Sequence, residues 1–280
     1  MLERSPRERI ASIRQRRWIN HPVAQDAARS LEDLLERPSS LRMQGRMLVG
    51  PYCNGKTMIV ERFAMQDAAQ SGQRRVWIVQ TREGAGLGHF YASILDGLGA
   101  PERRVGVARL GEQVDRILTG LRPRLLIFDE FHNALRGRAR DIEAIFAFLR
   151  RIGRLYDISP VLVGEPQIFD YVTATEEMST RIKLLAVPRW RYDEDYLSLL
   201  DSFEMVLPLA QPSELSDEPI ARRVLEISEG LIGEIVEIVT LAAAEAVAAG
   251  EERISLGAID ALPYVPVSQR SSAAVRETLL

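Results

Sequence analysis

A glycine-rich segment at residues 50–57 constrains the fold of this chain more than any other feature. It reads Gly50-Pro51-Tyr52-Cys53-Asn54-Gly55-Lys56-Thr57 and matches the phosphate-binding P-loop pattern at every position. An apolar run precedes it and a helical pattern follows it, which is the context that the motif requires. The two glycines let backbone N–H groups turn toward phosphates, and the helix adds its positive end. The segment therefore predicts a nucleotide-binding α/β domain.

We expect this loop to bind ATP together with Mg²⁺. Lys56 is placed to bridge the β- and γ-phosphates, and the Thr57 hydroxyl is placed to bind the metal. The residues predicted to contact the nucleotide are Gly50, Pro51, Tyr52, Cys53, Asn54, Gly55, Lys56, Thr57 and Met58.

Two adjacent acids, Asp129 and Glu130, follow the apolar run at residues 125–128. Ligands of α/β sheets bind at the carboxyl ends of the strands, so both carboxylates are predicted to lie beside the phosphates. Asp129 suits the role of holding Mg²⁺, and Glu130 is placed to orient the attacking water. The second acid favours a hydrolase over a nucleotide kinase. The catalytic residues predicted from this segment and the P-loop are Glu130, Asp129 and Lys56.

Short apolar runs alternate with helical patterns through the middle of the chain. This alternation is typical of a parallel sheet covered on both faces. The predicted strands are 47–49, 76–79, 125–128, 161–163 and 205–207, and the predicted helices between them are 57–70, 87–98, 110–121, 139–156 and 193–203. The predicted fold class is therefore α/β.

The predicted organisation has four parts. Residues 1–45 form a helical N-terminal extension, residues 46–212 the α/β ATPase core, and residues 213–265 a small lid of three helices. Residues 266–280 are polar and unpatterned, and we expect a flexible tail there.

Composition and charge narrow the class of protein. The single cysteine, Cys53, excludes an intramolecular disulfide and a cysteine-based zinc site. No apolar stretch follows the basic N-terminus and no run is long enough to cross a bilayer, so we expect a cytoplasmic protein with no membrane partner. The net charge is −3, but residues 74–154 hold fifteen arginines against nine acids, whereas residues 193–260 hold three against sixteen.

Several further segments place the chain among known families. They are RIASIRQRRWINHPVA, LLIFDEFHN, VLVGEPQIF, STRIKLLAVPRW and GLIGEIVEIVTLAAAEAVAAG. Together with GPYCNGKT they resemble the AAA+ ATPases, a P-loop class with a parallel-sheet core and a C-terminal helical lid. Within that class the chain resembles the TniB/TnsC family of transposition regulators, with MuB a more distant relative, and the resemblance covers most of the chain.

This resemblance implies that ATP lies between neighbouring subunits of a homo-oligomeric ring or filament. Arg181 stands where the family places the arginine that reaches the neighbour's γ-phosphate, and Arg189 is the competing candidate. Two family positions carry acids instead of the usual polar or basic residue. They are Glu165 after the fourth predicted strand and, in the lid, the acids of the segment Gly233-Glu234-Ile235-Val236-Glu237. These departures predict slow hydrolysis that awaits a partner.

The resemblance also implies binding to the backbone of double-stranded DNA, without sequence specificity. The positions predicted to contact DNA are Arg103, Arg104 and Arg109. Implied protein partners are a transposase and a TniQ-like adaptor, and the implied location is the bacterial cytoplasm, associated with the nucleoid.

The implied function is an ATP-dependent regulator of transposition that assembles on DNA, marks the target and disassembles on hydrolysis. A replication-type AAA+ ATPase, such as a helicase or clamp loader, and a stand-alone P-loop NTPase or kinase are the alternatives. His132 and Asn133, directly after the acids, either couple the nucleotide to the surface or cap a loop.

Overall fold

A computed structural model describes residues 4–40, 42–84, 86–101 and 105–270 of the chain. Contacts divide it into two compact units, with the divisions after Pro22 and after Val187. We call residues 23–187 the sheet unit, and residues 4–22 with 188–270 the helical unit. These divisions do not coincide with the boundaries predicted at residues 45 and 212. The helix at 6–13 packs with the helix at 232–249, and the helix at 194–206 shares their core.

The sheet unit is built on five parallel strands. They are β1 (Gly45–Val49), β2 (Val76–Gln80), β3 (Leu125–Asp129), β4 (Ser159–Gly164) and β5 (Ile182–Ala186). Their order in the sheet is β2-β3-β4-β1-β5. β1, β3 and β4 are buried along their whole length, as expected for strands covered on both faces. The predicted α/β class is confirmed.

Twelve α-helices and two short 3-10 helices are present in the described residues. The α-helices are α1 (Pro6–Ile13), α2 (Pro22–Glu36), α3 (Lys56–Ser71), α4 (Leu87–Gly97), α5 (Val107–Leu121), α6 (Ala139–Tyr156), α7 (Gln167–Thr173), α8 (Glu176–Ser179), α9 (Glu194–Val206), α10 (Glu218–Ser228), α11 (Ile232–Ala249) and α12 (Leu256–Asp260). The 3-10 helices are Phe131–Arg136 and Val267–Gln269.

The fifth strand does not lie where the sequence predicts it. Residues 205–206 end helix α9, and Met205 is 86% exposed. The true fifth strand is β5, which pairs only with β1 and exposes Lys183 and Leu184. An edge strand does not need the continuous apolar run of a central strand, and a short apolar run alone does not distinguish a strand from the end of a helix.

An aromatic cluster in the core of the sheet unit fixes the chain just after β3. The rings of Phe128 and Phe90 stack with centroids 5.1 Å apart, and Phe131 packs edge-on against Phe90 at 6.1 Å. All three side chains are buried. The chain that carries the acids 129 and 130 is therefore held on both sides by core aromatic residues.

The helical unit has its own core, formed by α1 and α9–α12. Arg9 of α1 donates to the carbonyl of Pro208 at 3.0 Å and to Glu252 at 2.8 Å. His21 packs against Trp190 with ring centroids 5.2 Å apart. Across the described ranges of both units, no helix combines the length and apolarity needed to span a membrane.

Candidate functional site

The P-loop connects β1 to α3 at the carboxyl edge of the sheet. A Cβ at Gly50 would lie 2.2 Å from the carbonyl oxygen of Val187, so only glycine fits there. Gly55 has a φ of 81°, a left-handed conformation that glycine adopts without steric cost. Asn54 donates to the Val187 carbonyl at 2.9 Å and anchors the loop to the end of β5. The two glycines of the motif are thus each required by geometry.

Lys56 lies inside the curve of the loop. Its side chain donates to the carbonyl oxygens of Gly50 at 3.1 Å and Pro51 at 2.5 Å, and the residue is only 6% exposed. Burial lowers the pKa of Lys56, and the nearby carboxylates of Glu130, Asp129 and Glu165 oppose that shift. A buried cation beside the N-terminus of an α-helix suits the recognition of a polyphosphate.

The P-loop and β3 meet at one hydrogen bond. The Thr57 hydroxyl donates to Oδ2 of Asp129 at 2.8 Å, and Asp129 is 1% exposed. Burial raises the pKa of Asp129, and the bond from Thr57 acts against that rise. Two hard oxygen donors side by side fit Mg²⁺, which takes one or two protein ligands and completes its shell with phosphate and water. No cluster of three or more candidate metal ligands occurs in the described part of the chain.

Glu130 and His132 continue from β3 along the same edge. Glu130 has a left-handed φ of 51°, and its N–H donates to Oδ1 of Asp129 at 3.0 Å. Nε2 of His132 lies 3.3 Å from Oε2 of Glu130. Asn133 donates from Nδ2 to the Thr81 carbonyl at 3.1 Å and so joins this turn to the end of β2. Lys56, Thr57, Asp129 and Glu130, predicted separately, are brought together at one edge.

Arg181 lies at the opposite, amino edge of the sheet. It immediately precedes β5, and its carbonyl accepts from the N–H of Gly45, the first residue of β1. A five-residue strand spans about 16 Å, so Arg181 is far from the P-loop of its own chain. Nη2 of Arg181 donates to Glu177 at 3.3 Å, and Arg150 lies 3.5 Å from the same carboxylate.

Arg189, the competing candidate, belongs to the helical unit. It donates from Nη1 to the carbonyl of Glu229 at 2.6 Å, at the C-terminus of α10. In the same turn the N–H of Trp190 donates to the carbonyl of Gly230 at 2.8 Å. Arg189 therefore stabilises a helix end inside its own unit.

The predicted DNA contacts are only partly described. Arg103 and Arg104 lie outside the described residues, while Arg109 is exposed in the first turn of α5. A second arginine segment, residues 136–140, begins at the last residue of the 3-10 helix Phe131–Arg136 and is not among the predicted contacts. Arg136, Arg138 and Arg140 are exposed there, and the acids nearest to Arg136 and Arg140, Glu83 and Asp141, are 4.0 Å away. The alternating arginines of LRGRARD were the available signal.

Comparison with solved structures identifies the fold. The Aeropyrum pernix ORC2 protein in ADPNP–ADP complexes aligns with a TM-score of 0.62 and 17% identity, over 84% of this chain and 65% of that one. Cdc6p of Pyrobaculum aerophilum aligns at 0.60 and 17%, over 87% and 67%. The structure of Drosophila ORC bound to DNA aligns at 0.62 and 12%, over 97% and 67%. These similarities establish the AAA+ ATPase fold that the sequence predicts.

The chain spans 65% of the length of the ORC2 protein. No curated protein shows significant sequence similarity to it. The family model described as bacterial TniB protein matches residues 9–192, well over half of the 280 residues. The matched stretch contains the P-loop, the acids after β3 and Arg181, and this chain therefore belongs to the TniB family of AAA+ ATPases.

Proposed function

We propose that this protein is an ATP-hydrolysing switch of DNA transposition. In the ATP state it assembles on double-stranded DNA, marks the target and recruits or activates the transposase, and hydrolysis disassembles it. The observation that carries the proposal is the hydrogen bond from Thr57 to Asp129, which joins the P-loop to the acids after β3. Membership of the TniB family supports the role in transposition.

The residues at the carboxyl edge have distinct roles in this proposal. Within residues 50–58, the backbone N–H groups after Pro51 hold the phosphates, and Lys56 adds a positive charge. Thr57 and Asp129 would hold Mg²⁺, which neutralises charge that develops on the phosphoryl group. Glu130, adjacent to Asp129 and less buried, orients the attacking water.

Arg181 completes the site of a neighbouring subunit in this proposal. Its position at the amino edge supports action between chains, because its own phosphates would lie at the other edge. The planar guanidinium suits charge that spreads over the transferring phosphoryl group. Glu177, which pairs with Arg181 in this structure, would be exchanged for phosphate on assembly.

Arg181→Ala is expected to lower the ATPase rate of the DNA-bound protein by about tenfold. This reduction is smaller than the one that loss of an arginine finger causes in fast P-loop enzymes, because we expect hydrolysis by this protein to be slow already. Arg150→Ala, which removes the other arginine on Glu177, is the matched control and should change the rate less than about twofold. A mixture of Arg181→Ala and Glu130→Gln subunits should hydrolyse ATP faster than the sum of the two variants alone. At a mixed junction the Arg181→Ala subunit supplies an intact Glu130 and the Glu130→Gln subunit supplies an intact Arg181. Rates that merely add would contradict a role between subunits.

We propose that a set of arginines holds the DNA backbone. Arg103, Arg104 and Arg109 remain proposed contacts, and the segment at residues 136–140 joins them because three exposed arginines alternate there. Contacts to DNA phosphates need cations and do not depend on the base sequence. Such contacts accord with a protein that marks targets of many different sequences.

Arg109→Gln and Arg138→Gln are each expected to weaken DNA binding. Each should reduce the dependence of log K on log[salt] by about one unit, because one fewer phosphate is neutralised. Arg253→Gln, at an exposed position in the acidic helical unit, is the control. Fluorescence anisotropy with a labelled duplex at several salt concentrations measures the slope. An unchanged slope in both variants would remove these positions from the interface.

The remaining parts of the proposal concern assembly and partners. We propose a homo-oligomeric ring or filament, with the transposase and a TniQ-like adaptor as partners, in the bacterial cytoplasm near the nucleoid. The N-terminal extension (1–45), core (46–212) and lid (213–265) are the proposed functional divisions. Most of the predicted tail (266–280) lies outside the described residues.

Sedimentation with a short duplex tests the switch directly. The purified protein is compared in ADP and in a slowly hydrolysed ATP analogue at matched salt. We expect large complexes only with duplex and analogue together. A monomer under every condition would refute the assembly, the role of Arg181 and the DNA interface, and would leave a P-loop NTPase that acts alone.

A further inference from the structure

His132 lies between two carboxylates at the nucleotide edge of the sheet. Its Nε2 is 3.3 Å from Oε2 of Glu130 and 3.7 Å from Oε1 of Glu165, and the residue is 4% exposed. The other ring nitrogen, Nδ1, is buried and has no hydrogen-bond partner among the described residues. Two of the three carboxylates at this edge, those of Glu130 and Glu165, are thus the polar neighbours of Nε2.

The backbone around His132 is built to place the ring there. Glu130 takes up the left-handed φ of 51°, and the Asn133 N–H donates to the Glu130 carbonyl at 2.9 Å, which closes a turn. Such a conformation is unfavourable for a residue with a side chain and persists only when its surroundings fix it. Phe131, fully buried in the core, provides that fixation, and the ring of the next residue, His132, lies beside Gly164 of β4.

Gly164, the last residue of β4, makes room for the ring. A Cβ at this position would lie 2.9 Å from Nδ1 of His132. The carbonyl of Gly164 also accepts from the N–H of Gly50 at 3.2 Å. Because β4 lies between β3 and β1 in the sheet, the His132 ring packs at the point where the P-loop, β4 and the acids after β3 converge.

We propose that His132 is the positioning residue that orients the carboxylate of Glu130, with Glu165 as the alternative acceptor of its Nε2 proton. A neutral imidazole has one N–H. In the tautomer protonated at Nε2, that N–H can be directed to Glu130 or to Glu165, but not to both. The orientation of the water-orienting acid is thereby tied to the end of β4. This inference rests on the proposed role of Glu130 in hydrolysis.

Two substitutions distinguish the ring nitrogens. The amide nitrogen of Gln reaches the place of Nε2, whereas that of Asn reaches only the place of Nδ1. We expect His132→Asn to lower kcat about tenfold. This loss is smaller than the roughly 10²- to 10⁴-fold contribution of a positioned acid or base, because Glu130 itself remains. KM for ATP and the Kd of a non-hydrolysable analogue should stay within about twofold, and His132→Gln should retain kcat within about threefold of the parent.

A double-variant cycle provides the decisive test. In the Glu130→Gln background, His132→Asn should cause no further loss, because the group that it positions is already gone. Equal kcat in His132→Asn and the parent, or losses that multiply in the double variant, would overturn the inference. A fall in ATP affinity and thermal stability together with kcat would also overturn it, since that is the signature of a structural histidine.

Glu165→Ala keeps the test informative if the Asn variant does not fold. This substitution removes the alternative acceptor, which Gln with its carbonyl oxygen would not, and leaves Nε2 to Glu130, so kcat should stay within about threefold of the parent. A larger loss would show that Glu165 itself acts in hydrolysis and would overturn its role as alternative acceptor. Failure of the proposed function can be told apart from failure of this inference. If Glu130→Gln hydrolyses ATP at the parent rate, the role of Glu130 is refuted and this inference with it. If Glu130→Gln is slow but the losses of the two substitutions multiply in the double variant, only the role of His132 is refuted.

Discussion

Glu130→Gln is expected to slow ATP hydrolysis by roughly 10³-fold while ATP still binds. The amide has nearly the shape of the carboxylate but accepts a proton far less readily, so the attacking water is no longer polarised. Lys56, Thr57 and Asp129 are unchanged, so the phosphates and Mg²⁺ remain held. The variant should therefore stay on DNA after ATP is added, whereas the parent protein hydrolyses the ATP and dissociates. Phosphate release and dissociation from a duplex on a sensor surface measure the two effects.

The control for this variant is Glu165→Gln, which removes the other carboxylate near His132. It carries the same change of charge at the same edge of the sheet, so a general electrostatic effect would slow both proteins alike. Hydrolysis by Glu130→Gln at the parent rate would show that another group orients the water. Rapid dissociation from DNA despite blocked hydrolysis would instead separate ATP turnover from disassembly.

Lys56→Ala is expected to weaken ATP binding by roughly 100-fold or more, because the substitution removes a charge-assisted hydrogen bond to the phosphates inside a buried loop. The variant should then fail to assemble on DNA at ATP concentrations that saturate the parent. Titration of a fluorescent ATP analogue gives the affinity. The shift in melting temperature caused by ATP, which reports binding to the folded state, should disappear.

The chain offers a matched control, because Lys183 is its only other lysine. Lys183 is exposed on β5, so Lys183→Ala changes the net charge equally but removes no group from the P-loop. It should bind ATP like the parent. Equal affinity in both variants would mean that the phosphates are held by backbone N–H groups alone.

Residues at the carboxyl edge of the sheet were predictable because local pattern fixes them. Gly50 is required because the Val187 carbonyl approaches it closely, and Gly55 because it takes up a left-handed conformation. These two requirements place glycines at fixed positions of the sequence, where they are recognised as the motif. Asp129 ends a fully buried strand and Glu130 follows it directly, and the apolar run before these two acids is unambiguous. Helix α6 was predicted with its observed bounds for the same reason, since its apolar face repeats along all of its 18 residues.

Features that depend on distant contacts were not predictable. The placement of β5 at an edge follows from pairing with β1 alone, which no local pattern records. The contact of His132 with Glu165 depends on β3 and β4 lying side by side, and the sequence does not give the strand order. Helix α1 packs with α11, which lies more than two hundred residues away, so a division at residue 45 could not anticipate this grouping.

The separation of Lys56 and Arg181 at opposite edges of one sheet gives any assembly built through them a direction. Each copy offers a phosphate site on one side and an arginine on the other, so copies join front to back and never front to front. Unless the row closes on itself, one terminal copy holds ATP with no arginine to complete its site. Such a row would hydrolyse ATP first at the junctions between copies, whereas the ATP of that terminal copy would persist. The two ends of the row would therefore differ in nucleotide state.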